Sequence, residues 1–249
     1  MATPPPLPEL VRYCHPDKIL GATRLPGTLT EDAIARLYGT DVATLRVVSA
    51  DLHTEARTAG RALTGSPFAP GSTLLALGDS ITDDLGSWAE ILRHALPDAS
   101  ILNAGLSGDT TTGAISRLAR LPRATWALVL LGTNDARRHG GAPMLVSHAE
   151  TRRNLRILDD ALRRRCRHVR WITPPPVLAR VDADPDIHWE PGDLAAKADL
   201  VRALDPHAID VWPGFAPEHL CADGLHPSPA GQRYIAARVM SLASSGAVD

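Results

Sequence analysis

The sequence predicts an α/β protein built on a parallel sheet with helices on both faces. From Ser72 onward, short apolar runs alternate with amphipathic stretches, and a repeated strand-then-helix order is what a parallel sheet requires. The run Trp126-Ala127-Leu128-Val129-Leu130-Leu131 has no polar interruption, as expected for a strand buried on both faces. At 249 residues the chain can hold one large domain, or one domain and a small appendage.

Residues 1–8 are rich in proline and predict an extended, poorly packed start. A helix is expected over 28–39, with Thr28 or Thr30 as cap, Ile34 and Leu37 as repeated apolar positions and Gly39 as the stop. Asp41 can cap a longer helix through about Leu63, closed by Gly60 and the Gly65-Ser66-Pro67 break. Residues 1–70 thus read as an N-terminal helical extension, and 71–249 as the main domain. The expected strands are 73–77, 100–103, 126–131, 168–173 and 208–212. The expected helices lie near 84–96, 110–121, 145–165, 193–204 and 228–243. In the last, Ser228 can cap, Pro229 fits the first position, and Ile235, Val239 and Leu242 share one face.

Bulk properties narrow the function classes. A hydrophobic fraction of 44% and a charged fraction of 22% are ordinary for a globular protein. The net charge of −2 gives no reason to expect a nucleic-acid or membrane-surface partner. No apolar stretch approaches the ~20 residues of a membrane span. Met1 to Pro8 lacks the basic and apolar regions of a signal peptide, so the expected location is cytoplasmic. Cys14, Cys166 and Cys221 are odd in number and widely spaced, which suggests neither a disulfide framework nor a metal pair. Residues 31–49 have the look of a helix-turn-helix. However, Asp32, Asp41, Asp51 and Glu55 dilute the basic face that DNA binding needs. A helical cap beside the active edge, or a homodimer contact, fits this segment better.

Four blocks carry chemistry: Gly78-Asp79-Ser80-Ile81, Asn103-Ala104-Gly105-Leu106-Ser107-Gly108-Asp109, Gly132-Thr133-Asn134-Asp135 and Asp223-Gly224-Leu225-His226. A serine hydroxyl is a weak nucleophile and needs a base; histidine serves near neutral pH, and a carboxylate orients the imidazole. Ser80 at a strand tip is the candidate nucleophile, His226 the base and Asp223 the orienting carboxylate. The Ser80 and Gly108 backbone N–H groups and the Asn134 amide are candidate donors to the oxyanion of a tetrahedral intermediate. Gly105 reads as a tight-turn residue, and Asp79 and Asp135 as structural.

With these blocks the sequence resembles the SGNH, or GDSL-type, hydrolase family over roughly residues 72–245. The letters S, G, N and H fall on Ser80, Gly108, Asn134 and His226. The resemblance implies a flavodoxin-like three-layer α/β/α sandwich with a central parallel sheet of about five strands. It further implies no metal or other cofactor, and hydrolysis of small-molecule carboxylic esters or thioesters. An acyltransferase acting on a sugar or natural-product hydroxyl is the alternative, and a non-catalytic binding protein a more distant one. Arg137 and Arg138, just after Asn134, either bind an anionic substrate group or are solvated. Trp189 either lines a substrate pocket or packs in a small core. Cys221 reads as packed rather than reactive, and Arg163, Arg164, Arg165, Arg167 and Arg170 as solvated cations near a helix end.

Overall fold

A computed structural model describes residues 7–13, 15, 16, 18, 29–184 and 186–242. Its helices are α1 (Leu7–Tyr13), α2 (Glu31–Leu37), α3 (Val42–Arg61), α4 (Ser80–Asp83), α5 (Trp88–Ala95), α6 (Thr111–Arg117), α7 (His148–Arg163), α8 (Pro191–Leu204) and α9 (Pro229–Met240). Its strands are β1 (Thr73–Gly78), β2 (Ser100–Gly105), β3 (Ala124–Leu130), β4 (Arg138–His139), β5 (Cys166–Ile172), β6 (Val181–Asp184) and β7 (Ile187–Trp189).

The main sheet is parallel, in the order β2-β1-β3-β5. Side chains alternate across it, as a period of two demands. Leu74 and Ala76 of β1 with Trp126, Leu128 and Leu130 of β3 pack on one face against Ile81, Trp88, Leu92 and Ile235. Leu75, Leu77, Ala127 and Val129 pack on the other, against Ala114, Leu155, Leu158 and Leu162. Gly78 pairs with both Gly105 and Leu130, so β1, β2 and β3 end level and their following loops share one edge. Open α/β sheets bind ligands at that edge.

The main sheet has four strands, not five: the segment expected at 208–212 joins only through a parallel bridge between Ile172 and Ile209. The cause is local. Thr173 is followed by Pro174-Pro175-Pro176, which have no N–H to extend a ladder. The Val211 N–H donates instead to the Thr173 hydroxyl at 3.0 Å. Most helix starts follow their capping residues. Thr30, Asp41, Ser87, Thr110, Ser147 and Ser228 each accept from a backbone N–H of the first turn. The expected helix over 84–96 starts only at Trp88, because the Asp84 carboxylate first turns the chain by accepting from the Gly86 N–H at 2.8 Å. The expected extended start differs as well: Leu7 and Pro8 begin α1, where a first-turn proline is tolerated. Residues 1–6, Thr28 and Cys14 lie outside the described residues.

The small antiparallel sheet β4-β7-β6 was not expected from the sequence. The N-terminal helices form a satellite core around Val11, Ala35, Leu45 and Leu52. Ala56 and Ala59 of α3 belong to the main core. At Gly60 an added Cβ would sit 2.6 Å from His94 Cβ and from the Ile91 carbonyl, so α3 lies directly on α5. No helix among the described residues is long and apolar enough to cross a membrane.

Candidate active site

Ser80 opens α4 immediately after β1. Asp79 caps this turn, its Oδ1 accepting from the Ile81 N–H at 3.0 Å. Gly78 is required for close packing: an added Cβ would lie 2.0 Å from Thr82 Oγ1 and 2.8 Å from the Leu130 carbonyl. Ser80 is 9% exposed, so its hydroxyl sits in a recess.

The loop before α9 brings the candidate base to it. Ser80 Oγ lies 3.0 Å from His226 Nε2, and His226 Nδ1 lies 2.7 Å from Asp223 Oδ2. Asp223 Oδ1 accepts from the Leu225 and His226 N–H groups at 2.9 and 3.0 Å. Gly224 takes a φ of +70°, which lets the chain turn tightly enough to bring Asp223 under His226. Burial would raise the Asp223 carboxyl, but the bond from His226 and the two amide donors hold it below the usual carboxylate range.

The candidate donors come from three adjoining elements. Gly108, at φ +76°, ends the turn between β2 and α6. Asn134 Nδ2 donates to the Asp109 carbonyl at 3.0 Å through one of its two hydrogens. Asp83 ties the Ser80 turn to the Gly108 loop, because its Oδ2 accepts from the Ser107 N–H at 3.0 Å and the Ser107 hydroxyl at 2.9 Å. Gly105 has a role beyond turning: a Cβ there would come within 2.3 Å of the Asp83 nitrogen, so α4 rests on its backbone.

Two buried groups hold this edge together. Arg117 reaches Asp109 Oδ2 through Nε at 2.8 Å and Nη2 at 2.7 Å. It also donates to the Ala104 carbonyl at 2.7 Å and the Gly78 carbonyl at 3.1 Å, joining the ends of β1 and β2. Burial pushes the Asp109 carboxyl up, and the Arg117 charge opposes that. Asp135 accepts from the Thr111 N–H at 2.8 Å, the Thr111 hydroxyl at 2.7 Å and the Thr151 hydroxyl at 2.6 Å, so it is a structural tie.

Residues 76–234 match the model of the GDSL-like lipase/acylhydrolase family. The chain belongs to this family. Among its relatives, the esterase TesA of Pseudomonas aeruginosa is 33% identical over 180 residues, covering 66% of this chain and 84% of the relative. The thioesterase 1/protease 1/lysophospholipase L1 of Escherichia coli K12 is 30% identical over 188 residues, covering 68% of this chain and 81% of the relative. An α/β hydrolase enzyme from the metagenome of Lake Arreo, Spain, superposes with a TM-score of 0.60 at 21% identity, covering 74% of this chain and all of the other. That likeness speaks to the fold.

Within this acylhydrolase frame the remaining sequence candidates separate. Arg138 is bound to Asp193 of α8 at 2.7 and 3.1 Å, so its guanidinium braces β4 against that helix. Arg137 is half-buried, and its Nε has no hydrogen-bond partner among the described residues. Trp189 is 4% exposed, packs with Ala136, Leu194 and Leu225, and donates to the Thr133 carbonyl at 3.0 Å. It therefore supports the Asn134 turn and the Asp223–His226 loop from behind. Cys221 is packed, its Sγ 3.6 Å from the Pro227 carbonyl, and burial pushes its thiol up.

Several contributors had no signal in the sequence. Arg117 is one of many arginines on polar helix faces, and Asp83 follows the serine block without belonging to it. Tyr13 of α1 stacks on the His226 ring, with centroids 4.1 Å apart and planes inclined by 21°. Nothing in the spacing of residues 13 and 226 announces that contact.

Proposed function

We propose that this acylhydrolase cleaves carboxylic esters or thioesters through an acyl-enzyme on Ser80. His226 Nε2 takes the Ser80 proton as Oγ attacks the acyl carbonyl, and then gives it to the departing alcohol or thiol. Asp223 fixes the tautomer that leaves Nε2 free to accept, and steadies the imidazolium. The Ser80 and Gly108 N–H groups and Asn134 Nδ2 serve the oxyanion. Water, activated by the same imidazole, then releases the acid. The observation that carries this reading is the unbroken hydrogen-bonded line from Ser80 Oγ through His226 to Asp223. The names of the relatives, an esterase and a thioesterase/lysophospholipase, favour the substrate class.

Ser80→Ala tests it. Turnover of a short p-nitrophenyl ester is expected to vanish while the circular dichroism spectrum and melting temperature are kept; retained turnover overturns the assignment. An acyltransferase reading uses the same residues with an alcohol in place of water. The stacking of Tyr13 of α1 on the His226 ring, which covers one face of the imidazole, is the observation in its favour. Partitioning between acid and new ester across a series of alcohol acceptors separates the two.

A further inference from the structure

We infer that Tyr13 is a positioning residue for His226, and that through it the N-terminal helix α1 is part of the active site. The inference rests on the assignment of His226 as the base. Residue 13 lies far outside the region 76–234 that matches the family, so this element is supplied by the chain's own extension.

The geometry is specific. The Tyr13 ring covers one face of the imidazole at 4.1 Å in near-parallel stacking. Its hydroxyl lies 3.8 Å from Cys221 Sγ, and the Cys221 N–H donates to the His226 carbonyl at 2.8 Å. Tyr13 therefore touches the imidazole and also the segment that carries it.

The helix bearing Tyr13 is itself anchored beside the nucleophile. Arg12, 8% exposed, donates to Asp84 at 3.1 Å and pairs with Glu55 of α3. Farther along, His15 Nδ1 lies 2.9 Å from Asp83, and Lys18 pairs with the same carboxylate. Asp83 and Asp84 close the turn that begins at Ser80. Nucleophile and base are thus both gripped by one short stretch of chain.

Stacking restricts rotation of the imidazole about its side-chain bonds and keeps Nε2 aimed at Ser80. A ring face also attracts the cation that His226 becomes only as the reaction proceeds. Both effects act on the reacting state, so they belong in kcat and not in KM. The other groups facing His226 are Asp223 and Ser80, with Asp79, Asp84 and Arg12 behind them. Burial pushes the Tyr13 phenol up, so the ring stays neutral through the working range.

The experiment compares Tyr13→Phe, Tyr13→Leu and Tyr13→Ala in the full chain. Phe keeps the ring and is expected to hold kcat near wild type. Leu and Ala are expected to lower kcat by about threefold to tenfold with KM little changed. Proton NMR gives a second readout: the His226 ring protons sit in the Tyr13 ring current and should shift in Leu but stay in place in Phe. An unchanged kcat in Leu, a change confined to KM, or unmoved His226 resonances overturns the inference. His226→Ala is run alongside. If it retains turnover, the base assignment fails; if it is inactive while Tyr13→Leu behaves as wild type, only the role of Tyr13 fails.

Discussion

Replacing Asp79 by asparagine should make the protein more stable above neutral pH and leave it nearly unchanged in mild acid. Asp79 is fully buried; Oδ1 accepts from the Ile81 N–H, and Oδ2 has no partner among the described residues. Burial is the main cause that pushes its carboxyl up to about 7; the Ile81 amide and His226 oppose this, and Asp109 and Asp135 add to it. In the unfolded chain the same group titrates near ~3.9. Between these values the folded protein holds a proton that the unfolded chain has released, so stability falls as pH rises across the window. The slope is about 1.4 kcal/mol per pH unit, or about 4 kcal/mol in all by pH ~8. The substituted amide would keep the acceptor for Ile81 and carry no charge at any pH. Urea unfolding of Asp79→Asn and wild type from acid to mildly alkaline pH measures the difference, in which the titration of groups not coupled to Asp79 cancels. The variant's advantage should be small near pH ~4 and grow to several kcal/mol above pH ~7. A difference that stays constant with pH would refute the reasoning.

Asn134→Ala should lower kcat by ~10²–10³ with the fold retained; an unchanged kcat would remove the amide from the oxyanion site. Asp223→Asn should lower kcat by a factor on the order of 10⁴, because the imidazole loses the acceptor that sets its tautomer; a small effect would point to another orienting group. Arg117→Met strands a buried Asp109 carboxylate and should cost about 3–5 kcal/mol of unfolding free energy in denaturant titration. A loss below about 1 kcal/mol would show that the charge is otherwise compensated.

Much of the main fold was legible because local chemistry and global packing agree in it. The uninterrupted apolar runs of β1 and β3 and the caps at Thr30, Asp41 and Ser228 each act within a few residues. The four motif blocks were legible for a related reason: each sets its chemical side chains on one short turn at a strand end or just before a helix. The edges of the fold were harder. Whether 208–212 pairs as a full strand depends on prolines in the neighbouring segment, and pairing is a property of two segments at once. The sheet β4-β7-β6 is assembled from pieces too short for periodicity to mark. Arg117, Asp83 and Tyr13 were missed because each acts across tens or hundreds of residues. The sequence allows Trp189 either of two roles, and its bond to the Thr133 carbonyl and its packing on Ala136 and Leu225 make it a supporting residue.

Gly60 bears on how the molecule comes apart. Its missing side chain lets α3 lie on α5 with backbone against backbone, and Ala56 and Ala59 continue that contact into the main core. Sequence likeness to the family begins only at residue 76. The stretch that matches the family model is therefore shorter than the packed core. A fragment begun at residue 72, just before β1, would bare the α5 face that α3 covers and is expected to aggregate, whereas the full chain should lose α3 and the sheet in a single transition.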